Sequence, residues 1–342
     1  MNPKIRIGLI GCGKIAKRHV NWFLEHPEAE ITALCDPDPD ARRATRSLVR
    51  EKRPEAELVE FERHPALLES GTCDAVAVLL PHYLHFPVCQ DALERGHHVL
   101  VEKPMVIEPG HAQELKRLTE DKGLTLAIGY QRNTMSEYRL VAKMIARGEF
   151  GELQFFSAHL EQDWHGALQA AGQDDSWRWN RDLAGGGQLT DSGSHTLGAV
   201  FSVLQRDPES VFAFIETRGA AVDITTVAAV RFQGGLLGSL AIGGFGHSVT
   251  EVLRVVGDKK SARIFFRTVN EQALEIDGEI VDAKALLPGT TPNANFIDAL
   301  HGKAEIRSGP TLGLRVAQLT QALYQSANFG HPITIQRPFL PS

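Results

Sequence analysis

The feature that most restricts the fold is the hexapeptide Gly11-Cys12-Gly13-Lys14-Ile15-Ala16, which follows the apolar run IRIGLI from Ile5 and opens a helical stretch near Lys14 to Glu25. A strand, a glycine turn and a helix begin a crossover unit, whose next strand returns parallel to the first. The chain keeps that grammar as far as Gly129. Strand-like runs EITALC from Glu30, DAVAVLL from Asp74, HVLVE from His98 and LTLAIG from Leu124 alternate with helical stretches at Pro39–Lys52, His85–Arg95 and Pro109–Lys122. Several runs are apolar almost throughout, as strands covered by helices on both faces must be. This part predicts an α/β, doubly wound parallel sheet.

After a helical stretch from Ser136 to Arg147 the pattern changes. ELQFFSAHL, SVFAFIETR, TTVAAVRF, LGSLAIGGF and SARIFFR follow one another with few helices between them. That spacing predicts an α+β domain on a large, mainly antiparallel open sheet. A helix over Leu312–Asn328 closes the chain. The 342 residues suffice for two domains, expected at 1–128 and 129–342. The most irregular stretch, Gln162–Gly187, contains Trp164, Trp177 and Trp179. Its length marks a functional loop, and its tryptophans argue against disorder.

The glycine turn reads as a dinucleotide cradle. Gly11 permits the tight turn, Gly13 lets the backbone approach a pyrophosphate, and Ala16 keeps helix and strand close. Lys14 and Ile15 lead into the helix, whose amino end offers N–H donors. Asp36, twenty residues beyond Ala16, is placed to accept ribose hydroxyls; its other reading is a cap or turn acid. Asp38 and Asp40 follow, so NAD is expected ahead of NADP, although Arg42 and Arg43 offer partial compensation for a 2′-phosphate. Glu102, Lys103 and Pro104 end the HVLVE strand, where ligands of open α/β sheets bind. A partly desolvated lysine there can join a proton relay. Pro81, His82, Tyr83 and His85 follow the preceding strand and line the same crevice.

Composition removes other classes of function. With 36 basic against 42 acidic residues the formal charge is -6, so no global field attracts nucleic acid or anionic lipid. No apolar stretch approaches the roughly 18 residues of a spanning helix. IRIGLIGCGK, broken by three glycines and a lysine, is unlike a signal segment, and a cytoplasmic location is expected. Cys12, Cys35, Cys73 and Cys89 show no C-x-x-C spacing, which predicts free buried thiols and no metal.

Taken in order, Gly11-x-Gly13-x-x-Ala16, Glu102-Lys103-Pro104 and WRWNRDLAGGGQLTDSGSH from Trp177 to His195 resemble the glucose-fructose oxidoreductase, inositol dehydrogenase and rhizopine-catabolism (Gfo/Idh/MocA) family. The resemblance implies an amino-terminal Rossmann domain, a carboxyl-terminal open-sheet domain and NAD(P)-dependent oxidation or reduction of a sugar or polyol carbon. It assigns substrate binding and proton transfer to Lys103, and places Asp191 and His195 near the reacting carbon. Gly198 stands where family members often carry a further acid. The resemblance also admits an NAD-recycling glycoside-cleaving enzyme or a non-catalytic NAD-binding regulator, and implies a homodimer or homotetramer.

If Gln188–Leu204 is helical, Leu197, Val200, Phe201 and Leu204 form a core stripe, while Asp191 and His195 project together from nearly the opposite side. A histidine suits the base that alcohol oxidation requires near neutral pH. Substrate choice falls to Trp164, His165, Trp177 and Arg178, with Gln131 and Arg132, because tryptophan stacks on sugar rings while polar neighbours bond their hydroxyls.

Overall fold

The structure, a computed structural model, describes residues 3–170, 176–268 and 271–335. Residues 171–175 of the tryptophan-bearing stretch lie outside the described residues. By packing, the chain forms two compact units. The first comprises Met1–Val106, Gly110–Gln131 and Thr290–Leu314, and the second comprises Ile107–Pro109, Arg132–Gly289 and Arg315–Ser342.

In the first unit β1 (Ile5–Ile10), α1 (Ala16–Glu25), β2 (Ala29–Cys35), α2 (Pro39–Lys52), β3 (Val59–Phe61), α3 (His64–Glu69), β4 (Ala75–Val78), α4 (His82–Glu94), β5 (His98–Val101), α5 (Pro109–Lys122) and β6 (Leu126–Ile128) alternate as expected. Among the described residues the sheet has the order β3-β2-β1-β4-β5-β6 with parallel pairings throughout. The order reverses at β1 and β4, which puts the ligand crevice at their carboxyl ends. Ile7 and Leu9 of β1 pack with Val20 and Phe23 of α1. Gly8, on the other face, abuts Leu67 of α3. Local chemistry sets the helix ends: Asp38 accepts the Asp40 N–H at 2.8 Å, Pro39 starts α2, and Arg50 and Lys52 lie in its last turn. Acid at the start and base at the end complement the helix dipole. The short pair β3 and α3 is absent from the sequence reading.

In the second unit α6 (Ser136–Ala146), β7 (Leu153–Glu161), α7 (Trp164–Ala170), α8 (Arg181–Ala184) and α9 (Gly193–Leu204) precede β8 (Pro208–Glu216), β9 (Thr225–Phe232), β10 (Leu237–Gly243), β11 (Thr250–Gly257), β12 (Ser261–Thr268), β13 (Glu271–Ile276) and β14 (Glu279–Ile280). Next come α10 (Pro292–Leu300), α11 (Pro310–Phe329) and β15 (Ile333–Thr334). The described sheet has nine strands in the order β14-β13-β12-β11-β7-β10-β9-β8-β15, antiparallel except for β7 and β10. Phe156, Ala158 and Leu160 alternate into the core beside α9, which is buried on nearly all sides.

Thr290–Leu314, expected with the second domain, packs with the first unit: Phe296 and Ile297 of α10 join Val20 and Phe23 in one buried cluster. All four cysteines are free and buried. Burial raises the thiols of Cys12 and Cys73 to about 11 and of Cys35 to about 12, so they stay protonated and inert. Among the described residues no helix is long and apolar enough to cross a membrane.

Candidate functional site

At the end of β1 the chain turns at once. Gly11 takes φ +101°, and its N–H donates to the Cys35 carbonyl at 2.8 Å. A Cβ there would stand 2.5 Å from the Leu79 carbonyl oxygen, so only glycine fits between the flanking strands. Gly13 is the opposite case, with nothing within 4 Å of its Cβ position. That open side is the approach a pyrophosphate requires. Lys14 is exposed and Ile15 half-buried just before α1. No side chain caps that helix and no acid lies in its first turn, so no side chain competes with an anion for its N–H groups.

Asp36 closes the other side of the cradle. One carboxylate oxygen accepts the Cys12 N–H at 2.8 Å and the other the Asp38 N–H at 2.9 Å. Each oxygen retains a second lone pair for a ribose hydroxyl. The acid is thus tied to the glycine turn itself, a donor and acceptor set that fits NAD.

Lys103 follows β5 on a braced loop. Glu102 meets His19 Nε2 at 2.9 Å through one oxygen and accepts the Lys103 N–H at 3.1 Å through the other. His19 is fully buried on α1, so the helix that opens at the cradle also steadies the strand end carrying the lysine. The Lys103–Pro104 peptide is cis. His85, expected to contact cofactor, is fully buried, with its ring nitrogens 2.7 and 2.8 Å from the carbonyl oxygens of Pro104 and Leu80. Burial holds its pKa below the usual histidine value. The ring is a brace between two loops. Pro81 precedes α4 as its cap residue, His82 is buried and Tyr83 exposed. Gln131 begins a short 3-10 turn, Gln131–Thr134.

In the second unit the helix expected from Gln188 begins only at Gly193. Asp191 therefore sits in the preceding turn and does not share a helix face with His195. Its Oδ2 accepts Trp164 Nε1–H at 2.9 Å and Arg178 Nε–H at 3.2 Å. Two donors, one of them charged, hold this oxygen in place. His195 is half-buried near the start of α9, its N–H donating to the Ser192 carbonyl at 3.1 Å. Leu197, Val200, Phe201 and Leu204 are buried as the sequence predicts.

Other candidates take supporting places. Trp164, buried with Val222 and Ile224, orients Asp191 and offers no ring face for a sugar. His165 packs its ring against Trp179 and Phe245, and Arg178 lies 4.4 Å over the Trp177 ring. Arg132 pairs with buried Glu251 at 2.6 Å, and Tyr138 donates to the same carboxylate at 3.1 Å. Arg132 is a partly buried anchor for that carboxylate.

One cluster has no sequence signal. Asp223 accepts the N–H of Gly187 at 2.6 Å, the N–H of Leu189 at 2.8 Å and the Tyr324 hydroxyl. Its carbonyl accepts the Gln188 N–H at 2.9 Å. Burial and the Asp223 carboxylate raise the Tyr324 pKa well above the usual phenol value, keeping it a donor. This network fixes the turn that delivers Asp191 and His195.

Residues 5–130 match a family described as "Oxidoreductase family, NAD-binding Rossmann fold", and residues 138–263 match "GFO/IDH/MocA C-terminal domain". The chain is 35% identical over 215 residues to dTDP-3,4-didehydro-2,6-dideoxy-alpha-D-glucose 3-reductase of Actinomadura kijaniata, a match spanning 63% of this chain and 60% of that protein. It is 27% identical over 355 residues to D-glucoside 3-dehydrogenase of Escherichia coli K12, spanning 95% and 96%. The WlbA dehydrogenase of Bordetella pertussis, solved with NADH and UDP-GlcNAcA, superimposes with a TM-score of 0.81 at 25% identity over 99% of each chain.

Proposed function

The chain belongs to the Gfo/Idh/MocA family of oxidoreductases, and from that premise we propose that it transfers a hydride between NAD and a hydroxyl-bearing carbon of a sugar, polyol or sugar derivative. The observation that carries the reading is the open side of Gly13 beside a carboxylate tied to the same turn. Gly11 to Ala16 would hold the pyrophosphate and Asp36 the adenosine ribose. When bound, the nicotinamide takes or returns the hydride.

The chain's own groups handle the proton. His195 accepts the hydroxyl proton during oxidation, and Lys103 holds the hydroxyl oxygen and assists that transfer. Asp191, held by Trp164 and Arg178, is a polar group for the substrate or for orienting the site. The similar reductase and glucoside dehydrogenase both carry position 3 in their names, which supports a ring C3 hydroxyl as the reacting group. A spectrophotometric screen of hexopyranosides, nucleotide-linked sugars and inositols with NAD and NADP tests the reading; no reduction with any of them would defeat it.

NAD is expected to bind at least tenfold more tightly than NADP, because Asp36, Asp38 and Asp40 oppose a 2′-phosphate. Tenfold is about 1.4 kcal/mol, modest for one opposed charge. Equal calorimetric affinities would reject it.

The protein acts in the cytoplasm as a homodimer or homotetramer in this reading. The support is one sheet face: Phe214 pairs with Val227, Val227 with Ala241, and Phe155 with Leu237. Cross-strand partners share a face, and the four large apolar side chains among them are exposed. A second copy would cover them. A monomeric mass by light scattering at micromolar concentration would disprove the assembly.

A further inference from the structure

Glu60 lies on β3, the edge strand of the first sheet, opposite Leu34 of β2. Its two carboxylate oxygens are taken by two different arginines. Oε2 accepts Arg42 Nε–H at 3.2 Å and Oε1 accepts Arg46 Nη1–H at 2.9 Å. Arg42 and Arg46 are four residues apart on α2 and so share a face. Arg42 is bound a second time, through Nη1 to the carbonyl oxygen of Asp36. Arg42 is therefore tied to the backbone of the residue whose carboxylate would read the ribose, and Arg46 follows one turn along α2. Arg43 differs, since it pairs with Asp40 and both are largely exposed.

An arginine next to that ribose is the group that accepts a 2′-phosphate, through its planar fork of donors. Here one such fork is bonded to the Asp36 backbone and a second lies one turn along the same helix face, and one carboxylate occupies both. Partial burial makes the Arg42–Glu60 pair firmer than a solvated surface pair, with side-chain exposure of 16% and 26%, while Arg46 is 37% exposed.

We infer that Glu60 is a cofactor-selecting residue, which excludes the 2′-phosphate by holding Arg42 and Arg46 in ion pairs while Asp36 repels it directly. The inference rests on the nucleotide-binding reading above and adds to it a residue from outside the loops that would touch the nucleotide. Selection thus has two layers. Asp36 sets the charge at the hydroxyl, and Glu60 decides whether the neighbouring arginines can answer a phosphate.

The test is calorimetric titration of NAD and NADP into the wild type, Glu60→Gln, and Glu60→Gln combined with Arg42→Gln and Arg46→Gln. The isosteric amide keeps the strand but ends the charge pairing. The ratio of NADP to NAD affinity should rise about tenfold in Glu60→Gln and fall back in the triple variant. The gain should shrink as salt rises, because released arginines meet phosphate by charge. An unchanged ratio in Glu60→Gln would overturn the inference. A gain that persists in the triple variant would overturn it too, because loss of an acid alone would then explain it. NAD binding to the wild type separates the two levels: if it fails there, the nucleotide-binding reading fails; if it holds and the ratio stays flat, only the role of Glu60 fails.

Discussion

Replacing His195 with Asn is expected to lower turnover by about 10²- to 10⁴-fold, the usual contribution of one positioned proton acceptor. NAD affinity should stay within about twofold, because the cradle at Gly11 to Ala16 belongs to the other unit. The amide preserves the size of the side chain but cannot take a proton near neutral pH. Folding should be little affected, since His195 is only half-buried while the core stripe of α9 is carried by Leu197, Val200, Phe201 and Leu204. Lys103→Ala should also lower turnover strongly, with its backbone still held by Glu102. Steady-state rates with an identified substrate, alongside nucleotide titration, check both. Near-wild-type turnover in the His195 variant would leave Lys103 as the candidate base.

The second large effect is on stability. Gly187→Ala is expected to destabilise the second unit by about 3 kcal/mol or more, in the range of severe overpacking. A Cβ at Gly187 would lie 2.1 Å from the Asp223 carbonyl oxygen and 2.9 Å from the Asp223 nitrogen. Both are backbone atoms that no rotamer change can move aside. The turn has no room to retreat either, because Asp223 binds it through Gly187, Gln188 and Leu189 N–H groups. Shifting the turn would strand a buried carboxylate, which costs further. Urea unfolding followed by tryptophan fluorescence measures the loss; a midpoint unchanged from wild type would show that the turn is softer than this packing implies.

What was legible in the sequence follows the range of each interaction. The cradle is six consecutive residues between a strand and a helix, and Asp36 lies at the next strand end, so local grammar exposes both. The second sheet is legible for a similar reason, since TTVAAVRF alternates buried and exposed positions. The bracing groups are not local. Glu102 meets a histidine 83 residues earlier, Asp223 a tyrosine 101 residues later, and Arg132 a glutamate 119 residues later. No periodicity encodes such pairs. Glu60 was hidden differently, on a three-residue edge strand with Glu62 and Arg63 after it, too short for alternation to register. Asp191 was misplaced because helical spacing continues from Gln188 on paper, whereas the bonds to Asp223 hold that segment as a turn.

The return of Thr290–Leu314 to the first unit bears on how the protein is made. Gln131 leaves the ribosome some 160 residues before Thr290, an interval on the order of 10 s at ordinary elongation rates. Throughout that time the nascent nucleotide-binding half lacks Phe296 and Ile297, and the surface of Val20 and Phe23 that α10 covers is bare. Vectorial folding, in which one domain is finished before the next is synthesised, is therefore closed to this chain. Each unit waits for a late segment: Thr290–Leu314 completes the first, and only then does the stretch from Arg315 bring Tyr324 to Asp223 and β15 to β8 of the second.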